Sequence, residues 1–280
     1  LRKEIFIFIN FFLLVSCNQK DDEFYDDSIR MQTFPKMEII VDKLPAKENL
    51  WVFILAGQSN MAGRALVEPQ DTLPSNRILS LNKTEEFIVA KEPLHFYETS
   101  RAGLDCGLTF GKELLKHIPD SVSLLLIPTA VGGSSLRQWL EDSTYQKVQL
   151  FKNFAQKMEI GKNHGTLKGI LWHQGESDAE SEEDIKLYTD RLSQLFINFR
   201  ASGNNEDLPI LIGKLGSFSK NNQQWQKINN QIALYVSTDD KASLIETADL
   251  KDKGDKVHFN SEAQRIMGKR FANAYTQKFK

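Results

Sequence analysis

The chain has 280 residues, with 35 Lys and Arg against 37 Asp and Glu and a net charge of −2. That balance excludes nucleic-acid binding through a basic surplus, and two cysteines exclude a disulfide scaffold. With 41% hydrophobic and 26% charged residues the chain is globular and not disordered, and it is long enough to bury its own core without staples.

Residues 1–17 read as a leader. Arg2 and Lys3 precede an apolar run at 5–15, interrupted only by Asn10. The run is about half of the ~20 residues a spanning helix needs. Basic start, short apolar core and small residue form the pattern of a secretory signal. Leu14-Val15-Ser16-Cys17 resembles a bacterial lipobox, which implies cleavage before Cys17 and its lipidation. The alternatives are a simple signal with Cys17 incidental, or a buried helix. Residues 18–37 begin acidic and read as a polar, solvated tether. The expected location is therefore the bacterial cell envelope, with the protein held at a membrane through Cys17 and facing either the periplasm or the outside. Cys106 would then be the one remaining thiol, read as a small buried hydrophobe.

The remainder, 38–280, reads as one domain. Apolar runs lie at 50–56 (LWVFILA), 122–128 (VSLLLIP), 167–173 (LKGILWH), 208–214 (LPILIGK) and 242–246 (ASLIE). Continuous runs of this length suit strands of a parallel sheet buried on both faces. Between them lie helical periods. Ile185, Tyr188, Leu192, Leu195, Phe196 and Phe199 recur at spacings of mainly three and four, as do Ala263, Met267, Phe271, Ala274 and Tyr275. Phe110, Leu114 and Leu115 mark another helix, stopped by Pro119. The alternation predicts an α/β sandwich with helices on both faces. Chemistry in such sheets collects at the carboxyl ends of strands.

Four polar motifs follow those runs or precede the last helix. Gly57-Gln58-Ser59-Asn60-Met61-Ala62-Gly63-Arg64 puts a serine in a glycine turn, the way a hydroxyl nucleophile is presented. Ser59 or Asn60 as a mere helix cap is an equal alternative. Ala130-Val131-Gly132-Gly133-Ser134-Ser135-Leu136 lets backbone N–H groups approach a ligand, or is an ordinary turn capped by serine. Trp172-His173-Gln174-Gly175-Glu176-Ser177-Asp178 aims polar groups into a cleft, with Ser177 or Asp178 available as a cap. Asp255-Lys256-Val257-His258-Phe259-Asn260 can fold so that the carboxylate meets imidazole Nδ1–H. Taken singly, a surface His258 is the simpler reading. Together the motifs supply a nucleophile, oxyanion donors, and a base with its orienter. No His pair at ligand spacing supports a metal, and no cofactor is expected.

The blocks GQSNMAGR, AVGGSSL with Trp139, WHQGESD and DKVHFN resemble the SGNH hydrolase superfamily. The branch they are most similar to is the sialate O-acetylesterase and carbohydrate esterase family 6 group. The resemblance spans about four-fifths of the chain. It implies a three-layer α/β/α sandwich with a mainly parallel five-stranded sheet, SGNH- or flavodoxin-like. It implies a serine esterase that removes O-acetyl groups from an acetylated oligo- or polysaccharide through an acetyl-enzyme. Ser59 is then the nucleophile, His258 the base and Asp255 its orienting acid. The oxyanion donors are Ser59 N–H, the Gly132 N–H (Gly133 could align instead) and the Gln174 amide. Gln58, Asn60 and Glu176 support them, Glu176 as a buried organiser. Trp139, Trp172 and Trp225 could stack on sugars, though core packing is the simpler use. The rivals are a lipase or thioesterase for longer acyl chains, and a glycan-binding surface lipoprotein without catalysis.

Overall fold

The computed structural model describes residues 27–280. The expected signal segment, Cys17 and residues 18–26 of the expected tether lie outside them. In chain order the elements are α1 (Asp27–Arg30), β1 (Leu50–Gly57), α2 (Ser59–Ala62), β2 (Ile78–Leu81), β3 (Phe87–Val89) and α3 (Gly107–Leu114). Then come β4 (Ser123–Pro128), α4 (Leu136–Leu140), β5 (Thr144–Tyr145), β6 (Val148–Gln149), α5 (Leu150–His164) and β7 (Thr166–His173). The chain ends with α6 (Glu182–Gly203), β8 (Ile210–Gly213), α7 (Asn222–Thr238), β9 (Ala242–Ile245) and α8 (Ser261–Phe279).

The sheet corrects the expectation of five mainly parallel strands in an SGNH- or flavodoxin-like arrangement. It has seven strands in the order β3-β2-β4-β1-β7-β8-β9, and β5 with β6 forms a separate two-stranded antiparallel sheet. β3 runs antiparallel to β2, so the large sheet is mixed. The five apolar runs became β1, β4, β7, β8 and β9. Within the large sheet the strands not foreseen, β2 and β3, hold four and three residues. Ser80 interrupts the apolar run of β2, its buried hydroxyl donating to Leu126 O (2.9 Å), and three residues of β3 are too few to show a period. Beyond β3, Val41 N–H donates to Phe87 O (2.8 Å) and Val89 N–H to Ile39 O (2.9 Å), which covers part of this edge. Arg30 also reaches Ala102 O (2.5 Å) and Thr33 Oγ1 bonds Val67 O, so the end of the expected tether lies against the domain.

The reason β1 reads as an unbroken apolar run is visible in its two faces. Val52, Ile54 and Ala56 join one core cluster with Phe154 of α5, Phe199 of α6 and Ile228 of α7. Phe53 and Leu55, the alternate residues, join the other cluster with Phe110 of α3 and Phe271 of α8. Both faces are buried, so neither parity can be polar. Trp139 and Trp172 are wholly buried in the first cluster, ring centroids 5.4 Å apart and edge-on. They are core residues, and Trp225 is buried as well.

The three central neighbours β4, β1 and β7 are parallel. Their carboxyl ends at Pro128, Gly57 and His173 therefore lie side by side. β4 and β7 flank β1, and the helices leading into them, α3 and α5, pack on opposite faces of the sheet, which makes this edge the crevice where open α/β sheets place their chemistry.

Candidate active site

β1 ends at Gly57, whose φ of 133° and contact with β7 both demand glycine. A Cβ there would fall 2.1 Å from His173 O. The chain turns through Gln58 directly into α2, and Ser59 is its first residue. His258 Nε2 lies 3.0 Å from Ser59 Oγ. His258 Nδ1 lies 2.7 Å from Asp255 Oδ2. The other carboxylate oxygen, Oδ1, accepts the N–H groups of Val257 (2.9 Å) and His258 (2.8 Å). Burial alone would raise the Asp255 carboxyl, but the His258 ring and these backbone donors hold it well below the usual carboxylate range. A charged Asp255 requires the proton of neutral His258 on Nδ1, which leaves Nε2 to accept from the serine hydroxyl.

Asn60 brackets His258. Its Nδ2 donates to Val257 O (3.0 Å) and its Oδ1 accepts Phe259 N–H (3.0 Å), the residues on either side of the imidazole. Asn60 Nδ2 also donates to Glu176 Oε1 at 2.6 Å, and Gln264 of α8 donates to Asn60 O at 2.9 Å. The side chain next to the serine thus joins the first, third and fourth motifs. Glu176 is buried, as is His173, whose Nε2 donates to Lys214 O (2.9 Å). Burial depresses the pKa of His173, so this ring is a neutral core group, and its hydrogen bond goes to Lys214 and not to Ser59.

Gln174 carries the amide expected to face the oxyanion. It is wholly buried, and Nε2 faces Asp178 Oδ2 (2.5 Å), Ser134 O (3.1 Å) and Gln58 Oε1 (3.2 Å). An amide has two N–H bonds, and both are committed to these three acceptors. Gln174 Oε1 in turn accepts from Tyr188 OH (3.0 Å). Gln58 Oε1 faces Gly175 N–H and Ser177 N–H as well, so it braces the 174–177 loop.

Asp178 is a residue the sequence suggested only as a cap. Its carboxylate accepts from Gln174 and from Leu136 N–H (3.0 and 3.2 Å) at the start of α4. Burial pushes its pKa up to about 6, and these hydrogen bonds only partly oppose the shift.

The glycine turn is knitted to the turn that carries Ser59. Val131 N–H donates to Gly57 O at 3.1 Å. The Gly132 N–H is engaged by Glu98 Oε2 at 2.6 Å, and Arg64 Nη2 lies 2.7 Å from the same oxygen. Among the described residues the N–H groups of Ser59 and Gly133 have no protein partner. Neither Arg64 nor Glu98 was singled out from the sequence. Arg64 ends the first motif, but Glu98 lies in a stretch with no pattern. Among the described residues no three His, Cys, Asp or Glu side chains cluster as metal ligands. Nor does any described helix have the length and apolarity to cross a membrane.

Residues 49–277 match the family described as carbohydrate esterase, sialic acid-specific acetylesterase. The chain belongs to this family. A probable carbohydrate esterase of Arabidopsis thaliana is 29% identical over 245 residues, covering 81% of this chain and 91% of the relative. The X-ray structure of the Arabidopsis protein is similar with a TM-score of 0.74 at 26% identity, covering 83% of this chain and 100% of that one. A carbohydrate acetylesterase from Xanthomonas citri shares the fold, with a TM-score of 0.63 at 18% identity. That match covers 82% of this chain and 56% of the other. What sets this family member's serine apart from a helix cap is its placement 3.0 Å from His258 Nε2, with Asp255 Oδ2 2.7 Å from the other ring nitrogen.

Proposed function

We propose that the protein is a serine carbohydrate O-acetylesterase in which Ser59 attacks the acetyl carbonyl. The observation that carries the reading is the Ser59–His258–Asp255 chain at 3.0 and 2.7 Å, within the reach that proton transfer needs. His258 takes the serine proton as the Oγ–C bond forms, and Asp255 stabilises the imidazolium. The oxyanion is received by the N–H groups of Ser59 and Gly133. His258 then gives its proton to the departing sugar oxygen, and water activated by the same ring releases acetate. The order serine, glycine, glutamine, aspartate, histidine along the chain supports placing this family within the SGNH hydrolases. The lipobox-like residues 14–17 support lipid anchoring at Cys17 in a bacterial envelope.

The test is hydrolysis of p-nitrophenyl acetate by the protein and by Ser59→Ala, followed by acetylated xylan and sialate substrates. The expected result is loss of activity in the variant and a preference for acetate over butyrate. Equal rates in both proteins would remove Ser59 as nucleophile. A preference for long acyl chains would favour a lipase or thioesterase.

A further inference from the structure

The Glu98 carboxylate sits against the turn that the reaction uses as an anion site. Its Oε2 accepts both the Gly132 N–H (2.6 Å) and Arg64 Nη2 (2.7 Å). The two side chains are only 9% and 6% exposed. Arg64 is held in turn by its own Nη1, which donates to Gly63 O at 2.8 Å. A Cβ on residue 132 would fall 2.1 Å from Arg64 Nη2 and 2.6 Å from Glu98 Oε2. Glycine stands there for room and not for conformation. Gly133, in contrast, has a φ of 78°, which favours glycine on conformational grounds.

Two physical consequences follow. The Gly132 N–H is already spent, so the turn offers its next donor, Gly133. A buried carboxylate beside that turn would also oppose the negative charge that develops on the acetyl oxygen. The Arg64 guanidinium cancels that charge where it arises. The same arginine lies five residues after Ser59 and ties the turn to the segment bearing the nucleophile.

We infer that Arg64 and Glu98 are a positioning pair for the oxyanion site. Glu98 locks the 132–133 turn by taking one N–H, and Arg64 neutralises Glu98 so that the adjacent N–H can bind the oxyanion. The inference rests on the esterase reading with Ser59 as nucleophile. It assigns neither side chain a contact with substrate.

The test is kcat and KM on p-nitrophenyl acetate for Arg64→Met, Glu98→Ala, Glu98→Gln and Arg64→Met/Glu98→Gln, with Ser59→Ala alongside. Misplacing a reacting group by about 1 Å can cost on the order of 10²-fold. Arg64→Met and Glu98→Ala are therefore expected to lose about 10²-fold in kcat with KM within about threefold. Glu98→Gln keeps an acceptor for Gly132 N–H without the charge, and is expected to exceed Glu98→Ala about tenfold. The double variant removes the unpaired charge and is expected to exceed Arg64→Met about tenfold. A pair that merely packs would give a double variant no better than Arg64→Met, and that result overturns the inference. So would a kcat within threefold of the parent in both Arg64→Met and Glu98→Ala. If Arg64→Met or Glu98→Ala does not fold, the comparison of Glu98→Gln and the double variant with the parent still decides. Either one then falling as far as Ser59→Ala would overturn the inference. An active Ser59→Ala is a separate outcome that removes the esterase reading itself.

Discussion

At the residue scale, the site depends on small side chains that each join several segments. Asp255 is the clearest case, since one oxygen orients the imidazole while the other accepts two backbone N–H groups. Its folded pKa lies below the ordinary value, so its stabilising effect is present above that ordinary value and is lost only as pH falls through the folded one. Asp255 therefore stays charged through mildly acidic pH, and a loss of rate there reports the base and not its orienter. Asp255→Asn removes the charge and permits the wrong tautomer, and kcat is expected to fall about 10³–10⁴-fold with little change in fold. Steady-state kinetics beside a thermal melt check both halves. Asn60→Ala frees the backbone on both sides of His258 and is expected to cost about 10²-fold in kcat. Activity within threefold of the parent would show that the imidazole is held without it.

At the element scale, the short connections matter more than the long helices. Asp178 links the loop after β7 to the first turn of α4 through Leu136 N–H. Its carboxyl is displaced upward to about 6 from an unfolded value near 3.8. A group raised in this way stabilises the fold fully below the unfolded value, and that contribution is lost as pH rises through about 6. Two pKa units correspond to roughly 3 kcal/mol at most. The protein is expected to melt higher at pH 5 than at pH 7.5 by part of that amount, and Asp178→Asn to flatten the difference. Melting curves of both proteins at the two pH values measure it. Gly57→Ala tests the junction of β1 with β7. Its Cβ would meet backbone 2.1 Å away at a positive φ, and backbone cannot step aside as a side-chain tip can. A loss of more than about 1 kcal/mol is expected in a denaturant titration.

At the scale of the whole molecule, one residue of the central strand shows what holds the sheet to its helices. Phe53 contacts Phe110 of α3 and Tyr275 of α8 edge-on, with centroids 4.9 and 5.0 Å away. Phe53→Ala should cost about 3–5 kcal/mol through lost burial and the cavity left behind, a large share of the roughly 5–15 kcal/mol typical of a domain. The chemical-denaturation midpoint is expected to fall sharply, whereas Ser59→Ala should leave it nearly unchanged.

The sequence by itself determined strands β1, β4, β7, β8 and β9, helices α3, α6 and α8, and the four motifs. Apolar continuity and helical periods are local properties of neighbouring residues, so they survive without coordinates. It also offered the pairing of Asp255 with His258 as one of two readings, because three residues of separation let one loop bring them together. Tertiary structure alone decided the rest. Strand β2 is broken by Ser80 and β3 holds three residues, and only their neighbours make the sheet seven-stranded and mixed. The Gln174 amide meets Asp178, Ser134 and Gln58, partners that sequence reading did not assign to it. Glu98, 34 residues from both Arg64 and Gly132, meets them at the glycine turn. A hydrogen bond satisfies the nearest geometry in space, and distance along the chain carries no trace of it.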